Sequence, residues 1–466
     1  MYKGVAVRNV LCNRNLKMNR IMKKYIPLSL LFCLFTFNAH SQSKLTLQEC
    51  TSLAIENNAK LRTSRNNVLM SNETRKEAFT KYFPQLSAMG FGFIADKSLL
   101  NIELDQQFLG SIIGEAAAGL PSSVGALKNG MTASVSAVQP VFVGGQIVNG
   151  NKLAKLGEEV SQIQLQQSEN EVRLQTSKFY WNIVQLKENL RTIDAVDAQL
   201  ASIMKDVKAA VDAGISTRND MLKVQLKQNE MTSSRLQINN GIGILKLLLA
   251  QYIGMGSEPV DVNLTSLQVP ENMYTDLVTQ EGIERNTNEY MLLQKNVEAQ
   301  KLQKKIALGK MLPTVSIGGA FASENLSSMP LGNNGRDMKN HMIGMATVSI
   351  PISDWWGGSH SVKKQKIAVE NARIQLEDNA VLLKVNIINK RNSVEEIINQ
   401  INVSQSSIAQ AQENLRLQRD YYNAGTCTMS DLLEAQTLLQ KSNDKLTDNI
   451  TQYHIRLLEY NQACGR

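Results

Sequence analysis

Apolar side chains recur along this chain in two rhythms. Phe179, Ile183, Leu186, Leu190, Ile193, Leu200, Met204, Val207 and Val211 step by four and three residues, with Asp197 the one break. The spacing returns at Ile397, Ile401, Ile408, Ala411, Leu415 and Tyr422. A seven-residue apolar repeat is the seam of a left-handed coiled coil. Residues 146–213 lack proline and residues 359–424 lack both glycine and proline. Each stretch therefore predicts one unbroken helix of about 100 Å, at 1.5 Å per residue. Shorter helices are expected over 45–82, where Leu53, Leu61 and Val68 share a face, from the 214 turn to about 250, over 274–311, and from the 425 turn to about 460.

The second rhythm has period two. In residues 130–141, Met131, Ala133, Val135 and Ala137 alternate with Thr132, Ser134 and Ser136, a strand with one apolar and one polar side. Similar strands are expected at about 84–94, 313–322 and 341–352, with Pro84 and Pro313 ending the helices before them. A long loop (95–129) joins the first pair and a shorter one (324–340) the second.

Both rhythms belong to a duplication. VDAGISTRNDMLKVQ (211–225) and YNAGTCTMSDLLEAQ (422–436) share Ala-Gly, Thr217/Thr428, Asp220/Asp431, Leu222/Leu433 and Gln225/Gln436 without a gap. Glycine after a helix supplies a left-handed C′ residue, a Ser/Thr segment caps the next helix, and Asp suits its first turn. Each copy reads as the tip of a helical hairpin, 213–217 and 424–428. Pro140 and Pro351 keep the 211-residue offset of the tips, whereas Pro84 and Pro313 stand 229 apart, so the extra 18 residues lie in the first interstrand loop. The expected organisation is a presequence (1–41), a first repeat (42–250), a linker (251–275) holding Gly254, Gly256, Pro259 and Pro270, and a second repeat (276–466). If the two shorter helices of each half stack end to end along the long one, the strands sit at one end of a rod, the tips at the other and the breaks near its middle.

Residues 22–41 have a basic start, an apolar core from Ile26 to Phe37 and a small-residue end, the secretory signal pattern, with cleavage expected before Gln42. Residues 1–21 read as an upstream start-site extension. The presequence carries seven Lys/Arg and no acid, so the formal +8 falls by seven to +1 on maturation. No basic footprint for nucleic acid survives. Cys50, Cys427 and Cys464 remain, an odd number that argues against a disulfide framework; a Cys50–Cys464 bridge is the one pairing considered. The mature histidines, His341, His360 and His454, are scattered, and no metal-ligand spacing, phosphate loop or nucleophile elbow occurs. No enzyme activity and no cofactor are expected.

Four strands cannot close a barrel in lipid, where open edges are not tolerated and about eight strands are needed. A secreted chain with two-faced strands has to pool them with copies of itself; three copies give twelve. Phe142, Trp355 and Trp356, just past strand ends, suit an interfacial aromatic belt. The alternative at this point is a small soluble β-subdomain on a coiled coil, with the Trp pair in its core.

VQPVFVGGQ (138–146), VSIPISDWWGG (348–358) and the two tips resemble the strand-to-helix junctions and hairpins of TolC-type outer-membrane factors, over residues 45–462. The resemblance implies a mainly α fold with a small β part: a homotrimer with a twelve-stranded outer-membrane barrel continued by a periplasmic α-helical barrel. It implies an exit duct working with a periplasmic adaptor and an inner-membrane pump, small-molecule efflux first, type I protein secretion as the alternative. A periplasmic adaptor or a purely structural coiled-coil protein are the rivals; one hairpin would suit the first, and neither explains duplicated strand pairs. By the resemblance, Tyr422 holds the entrance shut with Asp220 of the neighbouring hairpin, and Asp431 and Glu434 form carboxylate rings. Cys427 stands where the family's type protein has an arginine of the closing network. Ala213, Gly214, Ile215, Ala424, Gly425 and Thr426 match the adaptor-contact surface.

Overall fold

The computed structural model describes residues 44–466 apart from 98, 120–122, 127–128, 264–266, 270–272, 275–276, 278–280 and 328–338. The presequence and its cleavage site, with part of the second interstrand loop, lie outside the described residues. Helices α1 (Leu47–Asn57) and α2 (Ala59–Thr80) lead into strand β1 (Gln85–Ile94). Then come β2 (Leu100–Glu103), α3 (Gln106–Ile113), β3 (Ser123–Ala126) and β4 (Asn129–Val143). The hairpin α4 (Gln146–Asp212) and α5 (Arg218–Tyr252) completes the first half. The second half runs α6 (Asn288–Gly309), β5 (Thr314–Ser327), β6 (Lys339–Ser349), α7 (Asp354–Asn423) and α8 (Met429–Ala463).

The principal sheet is antiparallel in the order β1-β4-β5-β6. Its register aligns Leu86 with Ala137, Ala137 with Gly319 and Gly319 with Gly344, which keeps like faces together across all four strands. Leu86, Ile94, Met131, Val135, Ile317, Phe321, Met342 and Val348 therefore share one face, and all are exposed in the single chain. The opposite face is mixed: Met89, Phe91, Ile343 and Met345 stand among Ser87, Thr132, Ser134, Ser136, Glu324 and His341, the last two hydrogen-bonded at 2.9 Å. Strands β1 and β6 are the open edges.

The helices repeat this order. α2 packs on α4, α4 on α6 and α6 on α7; beyond the middle, α5 packs on α4, α4 on α8 and α8 on α7. The wall is four helices wide at every height, with α4 and α7 running its full length and the shorter helices meeting in pairs at mid-height. Two buried clusters fill that middle. One joins Cys50, Leu61, Tyr180, Ile183, Leu249 and Val262; the other joins Ile387, Ile397, Ile401, Ile450, Tyr460 and Cys464. Two carboxylates tie elements together there. Asp261 accepts from Lys187 (2.6 Å) and lies 2.8 Å from Lys246, and Glu459 lies 2.6 and 2.7 Å from Lys178 and Lys390.

Several expectations are corrected. The helix over 45–82 is two helices, because Asn58 turns out of helical backbone (ψ 131°), caps Lys60 N–H and donates to Tyr252 O at 2.8 Å. The helix expected from 274 begins at Asn288, capped by Thr287 after a 3₁₀ turn at Ile283–Asn286. The loop over 95–129 contains β2, β3 and α3. Strand β6 ends at Ser349 rather than 352, and β4 runs on to Val143 through an irregularity between Pro140 and Phe142. Position 197 is not a gap in the seam: Val196 and Ile203 enter the core beside Ile193, Leu200 and Val207, and Asp197 faces Arg235 of α5. Cys50 and Cys464 are free thiols in different clusters, so they form no bridge. Trp355 and Trp356 are exposed, which removes the soluble β-subdomain with a tryptophan core.

Candidate functional site

The two tips are built alike. At the first, Gly214 (φ 73°) donates to Val211 O and Ile215 N–H reaches Ala210 O at 2.8 Å. At the second, Gly425 (φ 70°) donates to Tyr422 O and Thr426 N–H to Tyr421 O at 2.9 Å. Both are Schellman caps, which satisfy the last carbonyls of a helix by a left-handed glycine. Thr217 and Thr428 then cap α5 and α8, each accepting from the N–H of Asp220 or Asp431 at 3.3 Å. At the second tip the box is reciprocal: Asp431 Oδ2 accepts from Thr428 N–H (2.8 Å) and its hydroxyl (2.7 Å). A Cβ at either tip glycine would meet nothing within 4 Å, and Ile215 is 83% exposed, so the apex is open on all sides.

The hairpins stand side by side. Met429, Leu432 and Leu433 of α8 pack with Leu200, Ile203, Val207, Val224 and Met231 of α4 and α5, and Tyr422 lies half-buried against this cluster. Asp431 and Glu434, three residues apart, occupy the opposite, exposed face of α8. Glu434 has no hydrogen bond or ion pair among the described residues, whereas Asp431 keeps Oδ1 free of its capping box. Hydrogen bonds from the Thr428 hydroxyl and backbone hold the Asp431 carboxyl below the usual range, and Lys223 adds to this. For Asp220, desolvation pulls upward, but the Thr217 hydroxyl and backbone, the Ser216 hydroxyl and Lys223 together hold it low.

Lys223 is the residue that sequence reasoning missed. It lies 3.7 Å from Asp220 on its own helix, and its charge also reaches Asp431 on the other hairpin. Tyr422 and Asp220 are not hydrogen-bonded to each other within one chain. Cys427 turns back into its own hairpin, its thiol toward Gln418 O at 3.4 Å, and stays protonated because burial and then Asp431 push its pKa up.

The other end has its own features. Gly144 (φ 62°) and Gly309 touch backbone to backbone, so that a Cβ on either would sit inside the other's carbonyl group; this locks the end of α6 to the start of α4. Trp355 Nε1 donates to Met311 O at 3.0 Å and its ring stays open, as do Trp356 and Phe142. Phe79, Tyr82 and Phe83 add exposed rings at the same level, Phe79 meeting each of the other two edge-on. Phe79 lies in the last turn of α2, Tyr82 and Phe83 follow it, and the signal for them in the sequence is the aromatic run just before Pro84.

An open sheet with exposed apolar side chains, continued by a four-helix wall that ends in two acidic hairpin tips, is the architecture of an outer-membrane channel protomer. Residues 291–466 match the family model described as outer membrane efflux protein. Outer membrane protein TolC of Escherichia coli (strain K12) is 22% identical over 461 residues, covering 95% of this chain and 87% of TolC. Among solved structures, CusC, described for its transmembrane channel formation, superposes with TM-score 0.75 at 13% identity, over 91% of this chain and 92% of CusC. The outer membrane protein VceC of Vibrio cholerae gives 0.68 at 14% identity, over 90% and 96%. The second half of the chain thus matches the outer membrane efflux protein pattern, and the chain as a whole is similar to TolC-type channels. It is an efflux duct of the bacterial outer membrane with a long periplasmic portion.

Proposed function

We propose that three copies of this chain close one duct, which carries small molecules outward from a periplasmic adaptor and an inner-membrane pump. One observation carries the reading: sheet and helical wall leave the same two sides open. One side is β1 with α2 and α5, the other is β6 with α7. Unpaired strand edges cannot remain in hydrocarbon, and joining β1 of one copy to β6 of the next removes them. The helical sides carry exposed apolar residues. Ile367, Ile374, Val381 and Ile388 recur every seven residues along the sheet-proximal half of α7, all exposed; Leu69 and Met70 stand exposed on α2 in the same half of the wall, and Leu222, Leu226 and Leu236 on α5 nearer the tips. Exposed seven-residue stripes call for a partner helix. Twelve strands lie well within the range of outer-membrane barrels.

At the tips, threefold symmetry gathers Asp431 and Glu434 into six carboxylates around the axis. Their field favours cations at the periplasmic mouth and binds polyvalent ones. Tyr422 and Asp220 meet between neighbouring hairpins and hold the mouth narrow, while Gly214, Ile215, Gly425 and Thr426 form the surface that meets the adaptor.

The test is single-channel conductance in planar bilayers with Asp431→Asn/Glu434→Gln. Wild-type channels are expected to be blocked from the periplasmic side by polyvalent cations, and the double variant to conduct without block. Unchanged block removes the carboxylate rings; a stable monomer in detergent that forms no pore removes the duct.

A further inference from the structure

Just below the junction locked by Gly144 and Gly309, a groove between α4 and α6 holds about 320 Å³ and is lined by Lys152, Lys155, Lys301, Lys305, Leu156 and two glutamates. The glutamates are already engaged. Lys295, which does not line the groove, sits 2.7 Å from Glu159 and 3.6 Å from Glu298. The four lining lysines are exposed and make no ion pair among the described residues. Four like charges converging on one groove repel one another unless an anion lies between them.

Helical periodicity fixes what shares their face. Val148, Lys152 and Lys155 fall at i, i+4 and i+7 on α4, and Lys301, Lys305 and Leu308 fall at i, i+4 and i+7 on α6. The face continues onto α7, where Arg373 lines the adjoining groove with Lys301, and Lys366 and Trp355 lie seven and eighteen residues before it on the same side. Val148, Leu308 and Trp355 stand within three residues of the helix ends nearest the sheet, and each is nearly half exposed (44%, 44% and 46%). Going away from the sheet, this face is thus apolar first and then basic. At 1.5 Å per residue the lysines of the groove lie about 6 to 14 Å from those helix ends. Lys152 and Lys155 lean toward the N-terminus of α4, and so back toward the sheet, whereas Lys301 and Lys305 lean toward the N-terminus of α6, away from it, so the two pairs face the groove from opposite directions. Hydrocarbon-facing residues followed by lysines within headgroup reach is the order a membrane boundary imposes. A lumenal solute would need the lysines but not the exposed Val148, Leu308 and Trp355.

We propose that this groove binds the anionic headgroups of phospholipids in the periplasmic leaflet of the outer membrane. Lys152, Lys155, Lys301 and Lys305 hold the phosphate, and the acyl chains leave along Val148, Leu308 and Trp355. The proposal rests on the duct reading only in taking this face as the outer one.

The experiment uses the full chain in nanodiscs of phosphatidylethanolamine doped with phosphatidylglycerol or cardiolipin, with retained lipid read by native mass spectrometry. Wild-type protein is expected to retain anionic lipid preferentially. Lys301→Gln/Lys305→Gln should lower that enrichment by about tenfold or more, since each surface lysine is worth roughly fivefold. Lys301→Arg/Lys305→Arg should keep it, and so should Lys205→Gln/Lys208→Gln far down α4. Full enrichment in the Gln variant overturns the site. So does competition by inorganic phosphate as strong as by lipid, or selective loss of soluble peptidoglycan fragments instead of lipid. Bilayer conductance is measured on the same samples. Absent pores with intact lipid enrichment would refute the duct and leave the site standing, whereas normal pores with no enrichment in wild type would refute the site alone.

Discussion

His454 stacks flat on Trp181, ring centroids 4.0 Å apart and planes 1° from parallel, with Tyr453 edge-on to it at 5.5 Å. The pair joins α8 to α4 at mid-height. Burial pulls the imidazole pKa from 6.5 down to about 4, a difference of about 3 kcal/mol between its two protonation states. A cation over an indole face gains about 1 kcal/mol, so stacking on Trp181 offsets only part of this, and protonation of the folded protein is expected well below the ordinary imidazole range. The sign follows from linkage. The folded pKa lies below the unfolded one, so the unfolded chain binds the proton first. The contribution of neutral His454 is complete above about pH 6.5, falls as pH drops, and is lost to the extent of about 2 kcal/mol at about pH 5. Trp181 reports this directly once Trp355→Phe and Trp356→Phe leave it as the single indole. Its fluorescence should stay flat through about pH 6.5 and be quenched with a midpoint below about pH 5, and His454→Gln should abolish the transition. Amide exchange around residues 450–458, corrected for intrinsic rates, should be up to about 30-fold faster at about pH 5 than at neutral pH. A fluorescence midpoint at 6.5 would show that water reaches the imidazole freely, and the argument from burial would fail.

Two further outcomes follow from the packing. Gly144→Ala should cost about 2–4 kcal/mol at the junction, combining left-handed backbone with a carbonyl clash, and deplete assembled protein from the outer-membrane fraction; Gly150→Ala, where a Cβ meets nothing, should be neutral or stabilising. In the folded protein a thiol reagent should label Cys427 alone, because Cys50 and Cys464 are buried and burial pushes the Cys50 pKa up to about 12. Rapid native labelling of Cys50 would contradict this.

The long helices, the four main strands and the tips were legible because each is specified by residues near in sequence: a seven-residue repeat, a two-residue alternation, a glycine followed by a threonine cap. What was hidden depends on distant partners. The break at Asn58 needs a carbonyl 194 residues away, at Tyr252. The seam at 193–207 follows Val196 rather than position 197 because Asp194 and Asp197 are both drawn to Arg235 on the returning helix. Nothing in the local spacing marks Lys223, because its effect on Asp431 depends on the second hairpin standing beside the first. At the tips, the resemblance located the acidic residues, but only the fold distinguishes Asp431, held in a capping box, from Glu434, which has no partner among the described residues.

The two open sides of the wall are unlike surfaces, one ending in β1 and the other in β6. In the proposed duct, copies therefore join only head to tail, and such a series terminates when its last member meets its first. A copy with one side disabled would still accept a neighbour on the other and leave a gap no healthy copy can fill. Damage confined to either rim, unlike damage to the buried middle, should then spoil the product of an intact gene expressed beside it.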